Sequence, residues 1–341
     1  MTMLGPVVVD VKGCELTEQE REMLAHPLVG MVILFSRNYA SPEQLKRLCA
    51  EIHSLRSPAL LIAVDHEGGR VQRFRDGFTR IPAMRGLGEM WERDVLGACR
   101  TATSAAYVMA AELRACGVDL TFAPVLDLDW GRSGVIGDRA LHSDPRTVTL
   151  LASHLMHGMA LAGMANCGKH FPGHGWAEAD SHHALPEDER ARAAILAADA
   201  APYAWLGVSL AGVMPAHVVY PQVDSKPAGF SRLWLQDVLR GELGYSGAIF
   251  SDDLTMEGAA VAGTLVERAE AAFGAGCDLV LVCNDPVAAQ KVLDGVRWAR
   301  SPEFDERIAR FVPRGPALDR QALEGTAMYQ AALADIEAWR G

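Results

Sequence analysis

No Cys-x-x-Cys pair occurs in this 341-residue chain, and its seven cysteines (14, 49, 99, 116, 167, 277 and 283) are odd in number. That spacing argues against a disulfide framework or a paired-cysteine zinc site. Most of these thiols fall in apolar or helical surroundings, so a reducing compartment, the cytoplasm, is expected. Positive charge is also scarce: 32 Lys and Arg stand against 43 Asp and Glu, a formal balance of −11. Such a surface repels phosphate backbones, so no nucleic-acid partner is expected, although a local basic site for a small anion is compatible with it. No apolar run approaches the roughly 18–20 residues of a membrane-spanning helix. The first ten residues lack a basic segment, and their short apolar run ends at Asp10; they read as a first strand and not as a signal peptide.

What is present is a globular balance, with 50% hydrophobic and 22% charged residues, enough for a sizeable core. Short runs rich in Val, Ile and Leu predict strands at 6–12, 28–35, 59–65, 119–126, 166–171, 212–219, 246–252 and 278–283. They are apolar almost throughout and do not alternate, as parallel strands covered on both faces should be. Between them lie helical patterns with recognisable starts. Thr17 with Glu20, and Ser41 with Gln44 and Pro42, fit capping boxes, and Ser231 is placed as an N-cap between Phe230 and Leu235. Further helices are predicted over 89–116, 154–164, 286–300 and 319–340.

Eight strands alternating with helices, with no linker or low-complexity tract, predict an α/β chain: one closed (β/α)8 barrel domain over 1–341, with C-terminal helices from 286 onward packed on it. An open doubly wound sheet is the alternative. However, Val11-Lys12-Gly13-Cys14 after the first strand offers no Gly-x-Gly-x-x-Gly phosphate cradle.

In a barrel the chemistry sits at the carboxyl ends of the strands. Strand 3 ends in Asp65-His66-Glu67-Gly68-Gly69-Arg70-Val71-Gln72-Arg73. A polar loop after strand 4 carries Asp127, Asp129, Arg132, Asp138 and Arg139. Strand 5 ends in Lys169-His170-Phe171-Pro172-Gly173-His174-Gly175, followed by Asp180-Ser181-His182-His183. Strand 6 ends in His217, and strand 7 in Ser251-Asp252-Asp253. The strand bodies carry almost no charge, so its concentration at one rim marks a candidate active site. Seven of the eleven histidines lie between 142 and 183. The aperiodic loop from 172 to 186 is long for a compact barrel, as functional or moving loops are.

Two chemistries compete for these residues. Metal-dependent hydrolysis in amidohydrolase-type barrels uses a His-x-His pair at the end of strand 1, and Val7-Val8-Val9-Asp10-Val11-Lys12 has no histidine. Glycoside cleavage needs a carboxylate on one face of the sugar and a proton donor on the other. Asp252 on a strand end suits the first role, with Asp253 as its rival. His182, two residues after Asp180, suits the second, with His183 and His174 as rivals. A neighbouring carboxylate orients an imidazole and stabilises its charged form. A sugar-binding barrel without catalysis is a third reading, but it has no need of an Asp180–His182 pair.

These blocks together resemble the single-domain bacterial β-N-acetylglucosaminidases of glycoside hydrolase family 3, which work in peptidoglycan recycling. The likeness runs from Pro6 to Asn284, through 65–73, Gly137-Asp138-Arg139, 169–175, Asp180-Ser181-His182 and Ser251-Asp252-Asp253. The resemblance implies Asp252 as nucleophile of a retaining reaction, His182 as general acid/base paired with Asp180, and Asp65, Arg73, Arg139, Lys169 and His170 as sugar-binding residues. It implies N-acetylglucosamine β-1,4-linked to 1,6-anhydro-N-acetylmuramic acid as substrate, with or without peptide. No metal or organic cofactor is implied, and a monomer is the simplest expectation. A histidine acid/base turns neutral once it has given up its proton, so phosphate is expected to compete with water as acceptor. Arg70, Arg75 and Arg132 read as structural, as do His154 and His157 on a helix. His174 reads as a brace for its loop, and Asp127 and Asp129 as loop organisers.

Overall fold

The computed structural model describes residues 3–178 and 185–340. Eight parallel strands appear in chain order: β1 (Val7–Asp10), β2 (Val29–Leu34), β3 (Leu61–Val64), β4 (Leu120–Thr121), β5 (Cys167–Phe171), β6 (Gly212–Pro215), β7 (Ala248–Asp253) and β8 (Leu279–Val282). Each overlaps one of the predicted runs. They pair in the order 4-3-2-1-8-7-6-5. Parallel bridges Leu120–Ala165 and Val125–Lys169, and the Leu126 N–H donating to the Lys169 carbonyl at 2.7 Å, join β4 to β5 and close the barrel. The cylinder buries its strands on both faces, which is why they are largely apolar; every residue of β1, β2, β3, β5, β6 and β8 is buried. Only two residues of the run 119–126 form a regular strand, since Pro124 has no N–H for the ladder.

Aromatic packing fills the interior. Phe250 meets Phe122 and Phe311 edge-on, both at 5.2 Å between centroids. Phe311 comes from the C-terminal segment and packs where Gly212 begins β6: a Cβ on that glycine would sit 3.0 Å from its ring.

Capping chemistry sets the helix starts. Thr17 and Glu20 form the reciprocal box before helix Glu18–Leu24. The Ser41 hydroxyl accepts from the Gln44 N–H, but the Gln44 amide turns to the N–H of Ala40 and not to that of Ser41. Ser231 accepts from the Trp234 N–H at 3.1 Å. Two predicted helices are each divided. The stretch 89–116 falls in Arg85–Trp91 and Val95–Ala115, because Asp94 leaves helical geometry to cap the second through the Gly97 N–H. The run 319–340 breaks at Gly325 into Arg320–Glu324 and Ala327–Arg340. The last helix docks on Val95–Ala115 through Tyr329, whose hydroxyl donates to buried Glu112 at 2.6 Å, and through Asp335, which accepts from Ser104 at 2.7 Å.

All seven cysteines are unpaired thiols, five of them buried. Among the described residues no helix is long and apolar enough to cross a membrane.

Candidate active site

The carboxyl ends of the strands surround a cavity of about 650 Å³. Apolar residues inside the barrel, among them Ile33, Phe122, Met214 and Leu281, form its floor. Six of the eight predicted site residues line it: Asp65, Arg73, Arg139, Lys169, His170 and Asp252. Asp180 and His182 lie outside the described residues. Glu178 lines the same cavity.

Charge at the site is organised as a compact cluster. Lys169, 3% exposed, extends from β5 to place its ammonium 2.8 Å from Asp65 and 2.6 Å from Glu67. Arg139 completes it with two parallel bonds to Glu67, Nε to Oε2 at 2.8 Å and Nη2 to Oε1 at 2.9 Å. Arg73 stands 3.6 Å from the second Asp65 oxygen. Burial alone would discharge Lys169, but Asp65 and Glu67 outweigh it and raise its pKa. Burial likewise opposes ionised Glu67, yet Arg139 and Lys169 hold its carboxyl far below the usual carboxylate range. Glu67, Lys169 and Arg139 thus stay charged out of water because each faces an opposite charge, the condition under which buried ions are tolerated. Donors and acceptors spaced this way suit a ring bearing several hydroxyls.

Asp252 and Asp253, adjacent on β7, meet different surroundings. Burial raises the pKa of Asp252, but the His217 and His170 rings, the Asp253 N–H at 2.8 Å and Lys169 bring it below its ordinary value. Asp253 is pushed up to about 6 by burial, although it accepts the N–H groups of Thr255 at 3.0 Å and Cys283 at 3.2 Å. Both line the cavity; Asp252 is held ionised there, while Asp253 also ties the end of β7 to the end of β8. His217 supports the pair from just beyond β6, its Nε2 lying 3.1 Å from the Asp253 carbonyl.

Several residues exceed or depart from their sequence reading. Glu67 belongs to the block at the end of strand 3 but is not among the predicted site residues. Its signal was latent in Lys169 and Arg139, since two buried cations call for more than the single acid Asp65. Asp127 does organise its loop, and it does so by gripping His170 Nδ1 at 2.7 Å. His174 is buried, donates its backbone N–H to Asp127 at 2.7 Å and lines the cavity. Arg70 is on the cavity wall as well as paired with Asp138 at 3.2 Å. Arg132 pairs with Glu178 at 2.7 Å, and its guanidinium lies 4.4 Å over Trp176. His154 on its helix meets the Thr103 hydroxyl at 3.2 Å.

An ionised aspartate over an apolar floor, beside groups matched to hydroxyls and at the face where (β/α)8 barrels carry their chemistry, fits a carbohydrate-cleaving enzyme. The sequence matches the glycosyl hydrolase family 3 N terminal domain over residues 5–312, and the chain belongs to that family. It is 61% identical over 330 residues to the Beta-hexosaminidase of Bordetella avium (strain 197N), covering 96% of this chain and 94% of that protein. It is 63% identical over 333 residues to the Beta-hexosaminidase of Aromatoleum aromaticum, covering 96% and 93%. In three dimensions it is similar to NagZ from Neisseria gonorrhoeae in complex with N-trifluoroacetyl-D-glucosamine, with a TM-score of 0.94, 49% identity and coverage of 99% and 98%. The protein is accordingly a glycoside hydrolase of the β-hexosaminidase type.

Proposed function

We propose that this chain is a retaining exo-β-N-acetylglucosaminidase. It removes terminal N-acetylglucosamine from the β-1,4 linkage to 1,6-anhydro-N-acetylmuramic acid, with or without peptide, during peptidoglycan recycling in the cytoplasm. The carrying observation is that Asp252, kept ionised, shares one cavity with Asp65, Arg73, Arg139, Lys169 and His170. The N-acylated glucosamine named for the gonococcal structure supports the sugar class. Seven unpaired thiols support a reducing compartment, and the docking of the last helix on Val95–Ala115 supports one domain over 1–341.

In this mechanism Asp252 attacks the anomeric carbon while His182, paired with Asp180, protonates the departing glycosidic oxygen. The C1–O bond to the leaving sugar breaks and a C1–O bond to Asp252 forms. His182 then takes a proton from water, which displaces the carboxylate with net retention. Lys169 and Arg139, neutralised by Asp65 and Glu67, hold the ring hydroxyls without adding net charge beside the nucleophile.

Trapping with a fluorinated N-acetylglucosaminyl donor, followed by peptide mapping, tests the assignment. The expected label is on Asp252. A label on Asp253, or on no carboxylate, overturns it.

A further inference from the structure

Asp127 follows β4 and is 1% exposed, a carboxylate buried behind the cavity wall. Its two oxygens have divided tasks. Oδ2 faces the Nδ1 of His170 at 2.7 Å. Oδ1 accepts the backbone N–H of His174 at 2.7 Å and, more weakly, that of His170 at 3.3 Å. It therefore ties together both ends of the turn through Phe171, Pro172 and Gly173 while gripping the ring of the first residue. The Tyr220 hydroxyl braces the same turn by donating to the Gly173 carbonyl at 2.8 Å.

An ionised carboxylate only accepts hydrogen bonds, so the ring nitrogen facing it carries the hydrogen. With Nδ1 committed to the buried side, Nε2 is the nitrogen left toward the cavity that His170 lines. We infer that Asp127 is a positioning residue: it fixes His170 with its hydrogen on Nδ1 and so presents Nε2 to the sugar in one defined chemical form. In the neutral ring that form accepts from a hydroxyl, and in the charged ring it donates. The inference rests on the sugar-contacting role proposed for His170. Burial raises the pKa of Asp127, but the His170 ring, together with His174 and its backbone N–H, outweighs it and keeps the group ionised, in keeping with the geometry.

Asp127→Asn reverses this with little change of shape. The two backbone N–H groups require an acceptor, so they retain the amide oxygen at the Oδ1 position. The amide NH2 then takes the place of Oδ2 and donates to Nδ1, which drives the ring hydrogen to Nε2. A wrong tautomer of this origin costs about 10⁴-fold in a serine protease triad, where the histidine moves protons. For a histidine that only meets a hydroxyl, we expect a loss of about 100-fold in kcat/KM.

The test combines long-range ¹H–¹⁵N spectra of histidine-labelled protein, with His170→Gln to assign the signal, and kinetics on 4-nitrophenyl N-acetyl-β-glucosaminide. The wild-type spectrum should show hydrogen on Nδ1 of His170, and D127N should show it on Nε2. In a His170→Gln background, D127N should add little further loss, because both changes remove the same function. A wild-type ring with hydrogen on Nε2 and none on Nδ1 overturns the inference, and so does a D127N loss that adds in full to that of H170Q. If H170Q alone leaves kcat/KM unchanged, the sugar-contacting role of His170 fails instead, whatever the spectra show. Should D127N not accumulate as folded protein, the wild-type spectrum still decides the tautomer.

Discussion

Replacing Glu67 by glutamine removes one charge from the cluster and should cost both stability and substrate binding. Glu67 is 3% exposed and accepts three bonds, at 2.6 Å from Lys169 and at 2.8 and 2.9 Å from Arg139. Removing one member of a buried ion pair typically costs 3–5 kcal/mol, because the partner charge stays buried. Here Asp65 still faces Lys169 at 2.8 Å, and an amide oxygen can keep one bond from Arg139, so about 3 kcal/mol is the expected loss. With an unfolding entropy of about 2 cal/mol/K per residue, a chain this long should melt about 4 °C lower at neutral pH. Misplaced Lys169 and Arg139 should also raise KM for the aryl glycoside by about tenfold or more. The pH dependence follows from the depressed pKa of Glu67. Below its ordinary value of 4.5 the unfolded chain takes up a proton that the folded protein refuses. The contribution is therefore complete above that pH and shrinks on further acidification, so the gap between wild type and variant should narrow from about pH 5 to about pH 3. Calorimetry at several pH values and steady-state kinetics measure all three. A melting point within about 1 °C of wild type at pH 7, with KM unmoved, refutes the reasoning.

The two neighbouring aspartates should behave oppositely. Asp252→Asn should lower kcat by more than about 10⁴-fold, whereas Asp253→Asn should keep turnover within about tenfold, since its oxygen still receives the Thr255 and Cys283 N–H groups. Asp253 titrates near 6 in the folded protein and 3.8 ordinarily, so across that window the folded form holds a proton that the unfolded form has lost. Wild-type stability should fall there as pH rises, and the D253N variant should not share that fall; parallel melting curves against pH would refute it. Hydrolysis of 4-nitrophenyl N-acetyl-β-glucosaminide should survive excess EDTA, and its loss would revive the metal-dependent alternative. In phosphate buffer a sugar 1-phosphate should appear beside the free sugar, as a histidine acid/base that ends neutral allows; free sugar alone rejects phosphate as an acceptor.

Much of the architecture was legible in the chain because local physics dictates it. Runs such as Val7-Val8-Val9 and Leu61-Ile62-Ala63-Val64 have no polar alternation, which only a strand buried on both faces permits. Thr17 and Glu20 announce their helix because a capping box is a contact over three residues. The charged blocks at the ends of β3, β5 and β7 announced where chemistry would gather. What the chain alone left open were contacts between distant segments. Asp94 and Pro124 broke elements whose apolar pattern ran on past them, since a cap and a missing N–H each change the local hydrogen-bond balance. Asp252 and Asp253 are indistinguishable as neighbours, and the surroundings supplied by β6 and β8 separate their proton affinities. Glu67 meets Arg139 across 72 residues, Lys169 reaches Asp65 across 104, and Asp127 finds His170 across 43. Whether an acid is solvated or buried against a cation depends on distance and dielectric, and closure of the barrel sets both.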